Sequence, residues 1–303
     1  MNGSNEKRKP KVLMIGIDGA TLDLIKPWAK EGKLPTFKRL LDEGGHGELE
    51  SVIPPVTPPA WTSLMTGMNP GKHGLFNFID HDLADYSIRY ANAGSRRVPT
   101  VWKRLSDLGW RVGVINMPMT YPPEPLNGFC ISGLDTPDES SPFVYPPELK
   151  LEIERSVGKI YLDPRHLGYM TTDEKRDSVL ADLVKIENRR TEIAEYLMAH
   201  HPVDVLALVY TATDTVQHFF WHYMDPAHPF YDPRGAERYR DAVLDIYRAI
   251  DSNIARLLSS VSDETAVLVV SDHGGGPVSS PVISLNRFLE EEGWLVYKKG
   301  GGA

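Results

Sequence analysis

Three apolar runs in this chain each stop at an aspartate. Val12 to Ile17 runs into Asp18, Val203 to Tyr210 into Thr211-Ala212-Thr213-Asp214, and Thr265 to Val270 into Ser271-Asp272-His273. Short apolar runs bounded by turn residues read as buried strands. Segments with helical spacing alternate with them: Leu34 to Glu43, with Pro35 early and Gly44-Gly45 as the stop; Pro58 to Met65, with Thr57 as N-cap and Gly67 as C-cap; Pro99 to Leu108; Asp173 to His200; Arg234 to Ser259; and Leu285 to Glu292. Glu48 to Ile53 and Arg111 to Asn116 read as further strands, and Tyr121 to Leu149 as a long proline-rich irregular connection. This alternation predicts an α/β fold, with a mostly parallel central sheet flanked by helices on both faces. The expected organisation is one domain over residues 11–297, a disordered polar tail over 1–10 and a flexible tail over 298–303.

Sheets of this kind bind ligands beyond the carboxyl ends of their strands. Parallel strands would bring Asp18, Asp214 and Asp272 to one edge. Taken singly, each reads as a turn or N-cap residue. Taken together, they repel and raise one another's pKa unless a cation sits among them, so the set predicts a metal site. Asp214 and His218 are four residues apart, which puts both on one helix face within reach of one ion. His222, four further on, shares that face; its role stays open between a third ligand, a substrate contact and an ordinary helix residue. Asp272 and His273 are followed by three glycines that permit a sharp turn. Thr57 on local sequence alone is a plain N-cap threonine. A helix start also offers free N–H groups and a positive dipole end to a phosphate, and metal coordination would turn the hydroxyl into a nucleophile. His73, in Gly71-Lys72-His73-Gly74, reads as a hydrogen-bonded scaffold residue.

A formal net charge of -8 argues against binding to a nucleic-acid duplex or an anionic membrane surface, since both require basic patches. It does not argue against a small phosphorylated substrate, because bound cations supply positive charge locally. No uncharged apolar run approaches the roughly 20 residues that span a bilayer. The single cysteine, Cys130, excludes an intrachain disulfide and fits a reducing compartment, so a cytoplasmic setting is expected. Oligomeric state is left open.

The motifs Ile-Gly-Ile-Asp18-Gly, Leu-Pro-Thr-Phe-Lys-Arg-Leu, Thr57-Pro-Pro-Ala-Trp-Thr-Ser-Leu-Met-Thr-Gly-Met-Asn-Pro-Gly-Lys-His-Gly, Asp214-Thr-Val-Gln-His218 and Ser-Asp272-His273-Gly occur in this order. As a set they resemble the alkaline phosphatase superfamily, and within it the type I phosphodiesterase/nucleotide pyrophosphatase branch, over nearly the whole chain. The resemblance implies an alkaline phosphatase-like fold and two divalent metal ions, usually zinc, with manganese or magnesium in some relatives. Asp18, Asp272, His273 and the oxygen of Thr57 would hold one ion, and Asp214 and His218 the other. Thr57 would take the phosphoryl group of a phosphodiester or phosphomonoester, and water would release it. Two positions depart from the pattern. Ala60 stands where nucleotide pyrophosphatases carry an asparagine that holds a phosphate oxygen. No histidine follows His273, where the family supplies a third ligand to the second metal, so the chain is expected to be C-terminally truncated. Two further readings stay open: a metal-dependent phosphomutase of the same superfamily, and a catalytically weak metal- or phosphate-binding protein.

Overall fold

The computed structural model describes residues 9–81, 87–164, 170–278 and 283–297. The tails expected over 1–10 and 298–303 therefore lie outside the described residues, apart from Lys9 and Pro10. The strands are β1 (Val12–Ile17), β2 (Ile79–His81), β3 (Ile88–Tyr90), β4 (Val112–Met117), β5 (Gly128–Ser132), β6 (Val144–Tyr145), β7 (Val205–Tyr210) and β8 (Ala266–Val270). The helices are α1 (Leu22–Lys30), α2 (Pro35–Glu43), α3 (Thr57–Thr66), α4 (Pro70–His73), α5 (Val101–Asp107), α6 (Glu148–Ser156), α7 (Asp173–His200), α8 (Ala212–Met224), α9 (Pro233–Tyr239), α10 (Ala242–Ser259) and α11 (Leu285–Glu291).

Six strands form one sheet in the order β6-β5-β4-β7-β1-β8, while β2 and β3 make a separate antiparallel pair. Every pairing in the large sheet is parallel except β5 with β6. Side chains alternate between two faces along each strand. Leu13, Ile15 and Ile17 of β1 join Leu206, Leu208 and Tyr210 of β7 in one core, with residues of α1, α2, α7, α8 and α10. Met14, Val205, Ala207 and Val209 face a second core containing Trp61 and Met65 of α3 and Trp102 of α5. Both faces are covered, which is why these strands are apolar at every position. Among the described residues no helix is long and apolar enough to cross a membrane.

Three local expectations need correction. Residues 48–53 form no strand, and all six are half-buried or exposed with no sheet partner. The stretch from Tyr121 to Leu149 is not simply irregular, since it contains β5 and β6, and Phe129, Cys130 and Ile131 are buried in the sheet. The helix expected from Arg234 to Ser259 is two helices, α9 and α10, separated at Arg240 and Asp241.

Candidate metal centre

β7, β1 and β8 are consecutive in the sheet and parallel, so their carboxyl ends lie side by side. Neighbouring strands are about 5 Å apart, which brings the residues following each strand within reach of one another. Asp18 follows β1 directly, and its backbone N–H donates to the carbonyl of Tyr210 at the end of β7, 2.8 Å away. Ligand atoms of Asp18, Asp214 and His273 all lie within 4.8 Å of one another. Asp272 and His218 attach at the two sides. His273 Nε2 is 3.4 Å from Asp272 Oδ2, and His218 Nε2 is 3.3 Å from Asp214 Oδ1. The two ligand sets implied by the resemblance thus meet in one cluster.

Thr57 joins them from α3. Its Oγ1 is 3.5 Å from Asp18 Oδ1 and 3.3 Å from His273 Nε2, and the residue is buried. Its place in the helix differs from expectation. The N-cap is Val56, and Thr57 is the first helical residue, with its side chain free of capping duty. The helix start also offers fewer donors than expected. Pro58 and Pro59 have no N–H, and the Ala60 N–H is taken by the carbonyl of Val56. The Thr57 N–H is the one left in that turn.

Several residues that sequence reasoning missed shape the cluster. Trp61 Nε1 donates to Asp18 Oδ2 at 2.9 Å. Its four-residue spacing from Thr57 was the available signal, since it places both on one face of α3. Thr213 Oγ1 donates to the carbonyl of Asp18 at 2.5 Å, and Gln217 Nε2 donates to the carbonyl of Gly19 at 2.8 Å, so α8 grips the loop that carries Asp18. Gly19 has φ +65°, and a Cβ there would sit 2.9 Å from Asp214 Oδ1. The Gly19 N–H donates to Asp272 Oδ1 at 3.2 Å. His73 has the scaffold role expected of it: it is fully buried, its Nε2 pairs with Ser63 Oγ at 2.9 Å, and its Nδ1 accepts the Leu75 N–H at 3.2 Å. His222 is outside the cluster; its ring packs on Tyr223 with centroids 3.9 Å apart.

The electrostatics follow from bringing three acids together, Asp18 and Asp272 buried and Asp214 half-buried. Burial, then the charges of Asp272 and Asp214, raise the Asp18 pKa well above the usual carboxyl value, with His273 and the Trp61 N–H opposing. Burial likewise pushes Asp272 up to about 7, against the pull of the Gly19 N–H. The hydrogen bond to Asp214 raises His218. Asp272 Oδ2 is buried with no hydrogen-bond partner. An orphaned carboxylate oxygen amid mutually repelling acids is what a cation would satisfy, and mixed imidazole and carboxylate donors suit zinc or manganese. The residues present therefore fit divalent metal. A cavity of about 680 Å³ opens beside His273, between β8 and residues of α1 and α2 such as Ile25, Phe37 and Leu40.

Known proteins share this architecture. A model of the family described as type I phosphodiesterase / nucleotide pyrophosphatase matches residues 12–303. Among solved structures, phosphonoacetate hydrolase from Sinorhizobium meliloti 1021 in complex with phosphonoacetate superposes with a TM-score of 0.59 at 17% identity, covering 95% of this chain and 63% of that one. Its complex with phosphonoformate gives 0.57 at 17%, with 94% and 62% covered. Murine ectonucleotide pyrophosphatase / phosphodiesterase 5, as an inactive threonine-to-alanine variant in complex with AMP, gives 0.54 at 17%, again with 94% and 62% covered. The chain thus spans somewhat under two thirds of the length of these structures. No curated protein sequence matches it significantly.

Proposed function

The chain belongs to the type I phosphodiesterase/nucleotide pyrophosphatase family, and from that premise we propose that it hydrolyses phosphate esters, with Thr57 as nucleophile and two divalent cations, zinc in first place. The observation that carries the reading is the meeting of Asp18, Asp214 and His273 within 4.8 Å, with the Thr57 hydroxyl 3.3 and 3.5 Å from two of them. The murine relative, whose threonine-to-alanine variant is inactive, supports a threonine in this role.

Asp18, Asp272, His273 and the Thr57 oxygen would hold one ion, and Asp214 and His218 the other. When bound, the ions lower the pKa of the nucleophile and neutralise charge that develops on the transferring phosphoryl group. The chain's own residues do the rest. Asp18 Oδ1 and His273 Nε2 flank the Thr57 hydroxyl and would hold its oxygen in place. The Trp61 N–H keeps Asp18 Oδ2 occupied, which fixes the carboxylate's rotation. The Thr57 N–H and the positive end of α3 would be available to the incoming phosphate. Ala60 contributes no donor, so this site leans on the cations more than a site with asparagine there would. The alcohol part of the ester has room in the cavity beside His273. The lone Cys130 is buried and fits a reducing, cytoplasmic setting.

The test is metal removal followed by reconstitution. Chelator-stripped protein should lose hydrolysis of aryl phosphodiesters and monoesters and regain it with zinc or manganese. Thr57→Ala should fold and bind metal yet lose turnover by at least about 100-fold, the scale of losing a nucleophile or a well-placed transition-state contact. Turnover in the stripped protein, or near-wild-type turnover in the folded variant, sinks the reading. Metal binding by the wild-type chain without turnover of any ester would favour a binding protein instead.

A further inference from the structure

Helix α8, which carries Asp214 and His218, begins without a side-chain cap of its own. Its N-cap Thr211 makes no hydrogen bond to the first turn, and its hydroxyl donates to Asp163 Oδ1 at 2.6 Å. The acceptor comes from another helix. Glu187 of α7 is 1% exposed, and its Oε1 accepts the N–H groups of Thr211 and Ala212, both at 2.8 Å. Its other oxygen is held by Arg190 Nη1, while Arg190 Nη2 donates to Asp163 Oδ1 at 2.9 Å. All three charged side chains are buried. Burying such a triad costs several kcal/mol per ion and returns little net stability. An ordinary cap at position 211 would instead accept from the amide of Thr213 or Asp214, for about 1 kcal/mol of benefit and no buried charge. What the triad adds is direction. Arg190 fixes where Glu187 points, and Glu187 fixes where α8 starts. From there Thr213 and Gln217 hold the carbonyls of Asp18 and Gly19.

We propose that Glu187, locked by Arg190 and Asp163, is a positioning residue that sets the placement of Asp214 and His218 against Asp18 for metal binding. This rests on the reading of the cluster as a metal centre. The test uses the full chain and zinc alone, followed by titration calorimetry, with the cobalt(II) absorption spectrum reporting coordination geometry. Asp214→Asn identifies the part of the isotherm that belongs to α8. Glu187→Met keeps the volume, removes the acceptor and leaves Arg190 balanced by Asp163. It should fold, lose about 10- to 100-fold in affinity for the Asp214-dependent zinc, and shift the cobalt spectrum. Glu187→Gln keeps one acceptor oxygen and should fall between it and the wild type. A folded Glu187→Met with the wild-type isotherm and spectrum overturns the proposal. If that variant does not fold, wild-type values of both readouts in Glu187→Gln overturn it equally. Zinc bound at Asp214 without ester hydrolysis overturns the proposed function and leaves this inference standing. A wild-type chain with no Asp214-dependent zinc overturns both.

Discussion

Asp18 sits where a carboxylate is hard to keep ionised. It is buried, two other acids face it, and the Trp61 N–H offsets only part of the cost. An acid with a raised folded pKa holds its proton more tightly in the folded chain than in the unfolded one. Its contribution to stability is complete below the ordinary carboxyl value of 3.8 and is lost as pH climbs through the folded value, about 7 for Asp272. Metal-free protein should therefore unfold at lower urea concentration at pH 8 than at pH 5, and Asp272→Asn should flatten that decline. A chelator-treated wild type whose midpoint is level or rising between pH 5 and 8 would refute the account. Zinc should reverse the trend, because its ligands must be deprotonated and its binding releases their protons.

At the scale of elements, the β1–α1 turn decides how closely two strand ends can approach. Gly19 adopts φ +65°, and Asp214 occupies the space a Cβ would need. Gly19→Ala should cost about 1–2 kcal/mol for the left-handed backbone alone. It should also displace Asp214 and weaken zinc binding, measured by calorimetry on folded protein; unchanged affinity would show that the close approach is unimportant. Gly16, inside β1, permits a similar close approach of α3, since a Cβ there would lie 2.5 Å from the Trp61 ring. Much of this was legible in the sequence. β1, β7 and β8 announce themselves as apolar runs leading to Asp18, Asp214 and Asp272; β1 and β7 are covered on both faces and leave no polar position, whereas β8 is an edge strand with Leu268 half exposed. β5 was hidden. Five residues between proline-rich stretches carry too little period, and only burial beside β4 reveals Phe129 and Ile131 as sheet residues. Residues 48–53 erred the other way, because a β-like composition without a partner strand makes no strand. The thinly supplied start of α3 could have been read from Pro58 and Pro59. Glu187 could not, because a glutamate in a long helix looks solvated until α8 is seen to start on it.

For the whole molecule, the proposed metal centre would be a fastening between strands that are remote in sequence. The proposed ligands come from residues 18, 57, 214, 218, 272 and 273, and no two neighbouring strands among β7, β1 and β8 are consecutive in the chain. Metal that binds only the folded chain stabilises it by mass action, about 2.7 kcal/mol at a hundredfold excess over Kd. In a chain of this size that corresponds to a rise of about 5 °C in Tm. Zinc should produce that rise in the wild type and much less in Asp18→Asn; equal shifts in the two would place the binding elsewhere.

The position of β1 in the sheet has a consequence for how the protein is made. β1 is complete at residue 17, while its two neighbours begin at residues 205 and 266. During synthesis, which runs from the N-terminus at about 5–20 residues per second, Val-Leu-Met-Ile-Gly-Ile leaves the ribosome with both hydrogen-bonding edges open and stays so for many seconds. A short, uncharged, apolar strand in that state is a template for pairing with other nascent chains. Expression yield should consequently depend on chaperone supply and on growth temperature more than the finished fold's stability would suggest.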